Sequence, residues 1–161
     1  MEKRDNLKHL LNINQGATKR LIEDVTPEEA LYTIDGYANH ILWLAGHIAS
    51  SANTKLRLLG KESMLPDGWA ELFKRGAEFH ADSSVYPSFD EVKTKVDEIY
   101  DAVMKAADEI DSAKFEDEVE VVPEWKENRM NALLFFSLHE FYHAGQIAVL
   151  RRTLGKDRTF G

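Results

Sequence analysis

Two histidines stand four residues apart in the segment HEFYH, His139 to His143, and a third, His47, ends the segment WLAGH. On a helix a four-residue step places two side chains one above the other on the same face. Each of the pair can then aim a ring nitrogen at one ion about 2.0–2.1 Å away. The chain has no cysteine. That removes disulfides, thiolate ligands and a protein-borne thiol nucleophile together, so a metal would have to be held by imidazole or oxygen. Three neutral imidazoles leave positions open on a divalent ion, which can lower the pKa of a bound water toward about 7, or activate a bound thiol.

The competing reading is that each histidine is a hydrogen-bonded core residue. His139 and His143 fall in the seam Ala132, Phe136, His139, His143, Ile147, Leu150 and Leu154, whose steps of three and four are core spacing. Two imidazoles without partners there would cost a few kcal/mol, because buried polar groups need hydrogen bonds. A same-face pair therefore favours the metal. Gly46 and Gly145 lie within two residues of a candidate ligand, inside helices where glycine costs about 1 kcal/mol against alanine. Close backbone approach, bringing His47 toward the pair, would compensate.

HEFYH also matches the H-E-x-x-H pattern of zinc peptidases. Those enzymes take a third ligand from downstream. After His143 only 18 residues remain, with one acidic residue, Asp157, and no histidine. The longer H-E-x-x-H-x-x-G-x-x-H form fails too, since Gln146 and Val149 occupy its glycine and last histidine positions. The expectation is no peptidase activity. Glu140 would be the acid–base residue by motif, but an ideal helix turns it roughly 100° from His139. It is expected to be an outer carboxylate or a solvent-facing one. Gln146 is either a partner of a ligand or a helix-packing amide. His40, two turns before His47, could line a pocket mouth; His9 and His80 belong to no constellation and read as surface residues.

The elements that must position these residues are helical. Leu7, Leu10, Leu11, Ala17, Leu21 and Ile22 follow helical spacing. TPEE at residues 26–29 reads as a capping box opening a short turn. A second long helix should span Asn39 to Leu59 and stop at Gly60. SFDE at residues 88–91 opens a third, with the seam Phe89, Val92, Val96, Ile99, Val103, Ala107 and Ile110. The last should run from near Asn128 to Leu154, with Gly155 as its stop. Because Leu133, Leu134, Leu138 and Phe141 make its other face apolar as well, this helix should be the most buried. Only EVEVV at residues 118–122 alternates like a strand. Residues 60–86 are irregular and carry Trp69, Phe73, Phe79 and Tyr86, with a short helix expected around Trp69–Lys74. Such a long connection either packs over the core or covers a pocket. The fold class expected is all-α: a four-helix bundle forming a single domain over residues 1–161, with the irregular segment between the second and third long helices.

Composition narrows the function. With 28 Asp and Glu against 20 Lys and Arg, the net charge is −8, and no basic run exceeds a pair such as Arg151–Arg152. A phosphate backbone would be repelled on average, so no nucleic-acid partner is expected. The start MEKRDNLKHLL has no apolar signal region, and no apolar run approaches the roughly 20 residues that span a bilayer. The expectation is a cytoplasmic protein without a membrane partner.

W-x-x-G-H on the second long helix (Trp43, Gly46, His47), H-x-x-x-H-x-G-Q-I on the last (His139, His143, Gly145, Gln146, Ile147) and L-R-R-x-L-G at residues 150–155 together resemble the DinB/YfiT-like metalloenzyme family. The similarity runs across nearly the whole chain, including helix order and the irregular middle. The resemblance implies a four-helix bundle of that type and a three-histidine site for a divalent transition metal, zinc or nickel. Carried over residue by residue, the ligands are His47, His139 and His143. It also implies a homodimer acting on a small-molecule substrate. Some relatives transfer groups to low-molecular-weight thiols, which would suit a cysteine-free chain whose thiol arrives as co-substrate. The expected function is a metal-dependent transferase or hydrolase; the alternative is a non-enzymatic bundle with a structural or vestigial metal.

Overall fold

The computed structural model describes residues 2–34, 39–80 and 82–159. Helix α1, Glu2–Ile22, carries Glu2 and Asp5 in its first turn and Lys19 and Arg20 in its last, matching the helix dipole at both ends. It buries Leu7, Leu11, Leu21 and Ile22, but the same stripe also buries Asn14 and Thr18. The expected capping box forms, with Thr26 and Glu29 bonding reciprocally at the start of the single-turn α2, Pro27–Ala30.

Helix α3 spans Ile41–Leu58, two residues shorter at its start and one at its end than the sequence suggests. The reason at the start is His40, which adopts extended backbone and caps the helix: its Nδ1 accepts from the backbone N of Trp43 at 3.0 Å. His40 is fully buried, so it lines no pocket mouth. At the other end Leu59 caps the helix and Gly60 takes a positive φ of 82°.

The irregular segment holds a short helix, α4, Trp69–Leu72, and a single 3-10 turn at Ser83–Val85. Trp69, Phe73 and Tyr86 are buried against the bundle while Phe79 stays exposed. The buried side chain of Asn53 anchors the segment's start, accepting from the Met64 backbone N at 2.8 Å. Helix α5, Phe89–Glu109, opens with the Ser88/Glu91 capping box and buries the expected seam. The strand-like EVEVV is β1, Glu118–Val122, which pairs antiparallel with an unanticipated β2, Trp125–Asn128. Helix α6, Arg129–Thr153, is capped by the Asn128 side chain and followed by Gly155 at φ 81°.

The four long helices form a bundle. Helix α3 packs on α5 and α6, and α1 packs on the same two. Consecutive long helices α1 and α3 therefore lie on one diagonal, with α5 and α6 on the other. Chain direction makes α3 and α6 antiparallel, since Arg129 at the start of α6 donates to the Leu58 carbonyl at the end of α3.

One expectation about α6 fails. Leu133 is buried, but Leu134, Phe135, Leu138, Phe141, Tyr142 and Val149 are exposed, Leu138 by 66%. Helices α1 and α3 cover two sides of α6 and the β1–β2 hairpin packs near its start, where Trp125 meets Phe135; among the described residues the rest of the apolar stripe is uncovered. No helix among the described residues is long and apolar enough to cross a membrane.

Candidate metal centre

The antiparallel pairing of α3 and α6 brings His47 to the His139/His143 pair. Nε2 of His139 lies 3.0 Å from Nε2 of His47 and 3.2 Å from Nε2 of His143. Two bonds of about 2.0–2.1 Å diverging by about 90–110° end about 2.9–3.4 Å apart, so these separations fit nitrogens sharing one ion. Among the described residues this is the one such cluster of potential ligands.

The outer nitrogens decide the tautomers. Nδ1 of His47 lies 2.6 Å from the carbonyl oxygen of Phe73, and Nδ1 of His143 lies 2.6 Å from Oε1 of Gln146. Both acceptors lack a proton, so both Nδ1 atoms donate, and both Nε2 atoms present lone pairs to His139. One proton on His139 Nε2 satisfies one of them and leaves the other lone pair facing nitrogen. A single cation at the common point satisfies all three. The donor set thus fits a metal better than it fits a hydrogen-bonded core, and outer hydrogen bonds of this kind orient metal-binding imidazoles.

Charge state agrees. Burial pushes all three imidazoles below the usual histidine range, and His143 falls to about 4. At His139 the positive fields of His47 and Arg75 add to the burial. Near pH 7 all three are neutral, the form that binds metal.

The surroundings are aromatic. Trp43 stacks on His47 with centroids 4.9 Å apart and planes 9° from parallel, its own Nε1 donating to the Leu72 carbonyl at 3.2 Å. Phe135 stacks on His139 at 6.1 Å, and Tyr142 meets His143 edge-on at 5.0 Å. Gly46 does have a close neighbour, although not α6: a Cβ there would lie 2.3–2.5 Å from the Phe73 ring. The glycine admits that ring, and the same residue's carbonyl holds His47. Gly145 has open space around it, so close approach does not explain it.

The remaining candidates separate cleanly. Gln146 is the hydrogen-bond partner of His143, and its amide nitrogen reaches Tyr142 Oη at 3.4 Å. Glu140 is neither solvent-facing nor part of the triad. It points the other way, into the bundle, fully buried, with Oε2 2.7 Å from Nζ of the equally buried Lys55. Tyr100 Oη donates to that oxygen at 3.1 Å, Thr18 Oγ1 sits 3.2 Å from Tyr100, and Asn14 donates to the Ser137 carbonyl at 2.6 Å. Burial raises the Glu140 carboxyl while Lys55 pulls it back. All four long helices meet in this network. His9 is exposed; His80 is half-buried against the Tyr86 ring.

Sequence reasoning passed over Lys55 and named Phe73 only as one aromatic of the irregular segment. A backbone carbonyl leaves no trace in residue type. Lys55 did leave one, because it continues the apolar row Ile41, Ala45, Ile48, Ala52 by a step of three, where a charge needs a buried counter-ion.

Comparison with known proteins gives the lineage. No curated protein matches the chain. Among solved structures it is similar to YfiT from Bacillus subtilis, described as a probable metal-dependent hydrolase with an unusual four-helix bundle topology. The two share 20% identity and a TM-score of 0.70, over 98% of this chain and 90% of that one. The profile of the DinB superfamily matches residues 10–147, from the middle of α1 well into α6. That span takes in His47, His139, His143 and parts of every long helix, and the chain belongs to the DinB superfamily.

Proposed function

We propose that this protein is a metal-dependent enzyme in which His47, His139 and His143 hold one divalent transition metal, zinc or nickel, and act on a small-molecule substrate. The observation that carries this reading is the meeting of three Nε2 atoms at 3.0 and 3.2 Å while two of the rings are fixed from behind by Phe73 and Gln146. When bound, such an ion supplies Lewis-acid chemistry, polarising a substrate oxygen and favouring the deprotonated form of a nucleophile. The chain supplies the rest. Trp43 and the irregular segment close one side of His47 to water, and the half-exposed His139 leaves the other side open to a substrate. That open side favours an enzyme over a closed structural site.

The reaction proposed is hydrolysis or transfer to a low-molecular-weight thiol. The description of YfiT supports the first, and the absence of cysteine in this chain suits the second. Glu140 is assigned no part in proton transfer, because it is buried on the far face of α6. We further propose a homodimer that covers Leu134, Leu138 and Phe141, the exposed apolar stripe of α6. Metal-loaded protein screened against ester, amide and thiol-acceptor panels tests the reaction. Turnover that is lost on chelation and in His47→Ala supports it; turnover unaffected by both contradicts it.

A further inference from the structure

The inward face of α6 carries a charge where burial alone would favour a leucine. Glu140 is fully buried on that face, together with Leu133, Ala144 and Ile147. On an ideal helix Leu138 stands about 160° round from Glu140, and Leu134 about 120°. Both are exposed, as is Phe141. A half-turn of α6 about its axis would bury these three side chains, return the carboxylate to water and swing His139 and His143 away from His47. Apolar burial by itself does not single out the observed rotation, because α6 has a set of large apolar side chains for either one.

The carboxylate does single it out. Oε2 of Glu140 takes a donor from each of the other three long helices: Nζ of Lys55 in α3 at 2.7 Å, Oη of Tyr100 in α5 at 3.1 Å and Nδ2 of Asn14 in α1 at 3.4 Å. Lys55 follows His47 by eight residues, about 12 Å along the axis, while Glu140 adjoins His139. Side chains on a helix lean toward its N-terminus. In the antiparallel pair Lys55 and Glu140 therefore lean toward each other and span that offset. Helices α3 and α6 are joined at two places, by the histidines and by the ion pair. Apolar replacement of a buried ion pair is often neutral or stabilising, and the best-attested use of such a pair is to fix register.

We propose that Lys55 and Glu140 are positioning residues for the metal centre: their ion pair fixes the rotation of α6 and so holds His139 and His143 toward His47. The inference rests on the metal-enzyme reading above. Neither residue belongs to the triad. Glu140 acts through the backbone it shares with His139, and Lys55 acts through Glu140. Without the pair the bundle stays folded but α6 samples other rotations. Metal then binds only the fraction of molecules in which the three imidazoles meet, and apparent affinity falls by that fraction.

The test compares metal affinity with stability in full-length protein without a histidine tag. Co(II) affinity is read by competition with a chromophoric chelator, and urea midpoints are read on chelated samples. Lys55→Met/Glu140→Leu should unfold near the parent's midpoint yet bind cobalt about ten-fold more weakly or worse, the order of loss seen when groups that orient metal ligands are removed. Lys55→Met/Glu140→Gln keeps an oxygen for Tyr100 and Asn14 and should fall between the two; it decides the matter if the leucine variant does not fold. Leu7→Ala opens a cavity in the core two turns before Asn14, so it should unfold at lower urea and keep parental cobalt affinity. Folded variants without the pair that bind cobalt as tightly as the parent overturn this inference and leave the metal reading standing. So does a Leu7→Ala variant that loses as much affinity as the double variants, since affinity would then follow stability alone. No cobalt binding in the parent overturns both.

Discussion

Nδ1 of His47 lies 2.6 Å from the carbonyl oxygen of Phe73, and the ring of that same Phe73 fills the space where Gly46 lacks a Cβ. Two consecutive residues of α3 are thus fitted to one residue of the irregular segment. The glycine receives the side chain and the histidine receives the main chain, so the segment holds a candidate ligand in place.

Gly46→Ala should therefore act on the site without touching a ligand. Its methyl would lie 2.3–2.5 Å from a buried ring, and Phe73 must shift and take its carbonyl along. Overpacking of this kind costs about 1–3 kcal/mol, and loss of an outer hydrogen bond to a ligand costs about 10–100-fold in metal affinity. Gly145→Ala, with open space around it, should keep parental affinity and gain up to about 1 kcal/mol of helix propensity. Urea melts and metal titrations of both variants check the contrast. Equal behaviour of the two would remove Phe73 from the account.

The Lys55–Glu140 pair gives a prediction about the core. Both residues are fully buried, 2.7 Å apart, and join α3 to α6 two turns from His47. Lys55→Met alone leaves a buried carboxylate without its counter-ion and should destabilise by about 3–5 kcal/mol. The double variant Lys55→Met/Glu140→Leu should recover much of that loss, since apolar replacement of a buried pair is often neutral. Chemical denaturation of single and double variants measures it. A double variant as unstable as the sum of its singles would mean that the pair is not the coupled unit described.

Acid should weaken the metal-free protein through the triad. Burial lowers all three imidazoles, His143 to about 4, against about 6.5 for an unfolded histidine. Between those values the unfolded chain binds more protons, so the stabilising contribution is complete above about pH 6.5 and is lost as pH falls toward 4. Chelated parent should lose stability across that window more steeply than chelated His143→Leu. Parallel pH profiles for the two would contradict the buried, neutral state assigned to His143.

The exposed stripe on α6 predicts assembly. Leu138→Glu places a charge on a residue 66% exposed, so it should leave the monomer's stability nearly unchanged while halving the mass seen by sedimentation equilibrium. A parent that sediments as a monomer at all concentrations would rule out the proposed dimer.

The sequence carried the long helices and the triad because those features repeat. Leu7, Leu11 and Leu21, or Val92, Val96, Ile99 and Val103, recur at helical spacing, and His139 and His143 share a face by the same rule. Capping boxes at Thr26 and Ser88 and the glycine stops at Gly60 and Gly155 marked the ends. What stayed hidden depends on which face meets which neighbour. Leu134, Leu138 and Phe141 read as core because hydrophobicity does not say whether a covering helix exists. His40 read as part of α3, since a histidine side chain accepting from Trp43 N is not a standard capping signature. Glu140 could not be assigned to the core until Lys55, 85 residues away, was known to face it.

The central claim is that three imidazoles hold one ion, and metal content tests it most directly. Protein prepared without a histidine tag, stripped with chelator and reloaded with zinc or nickel, should retain about one ion per chain after desalting. His47→Ala, treated identically and shown by circular dichroism to be folded, should retain almost none. His139→Leu should also retain almost no metal after reloading, while its chelated form keeps the stability of chelated parent or gains roughly 1 kcal/mol, because the lone-pair crowding at Nε2 goes with the ring. Parent protein that retains no ion, or a His47→Ala variant that holds it as tightly as the parent, would contradict the account.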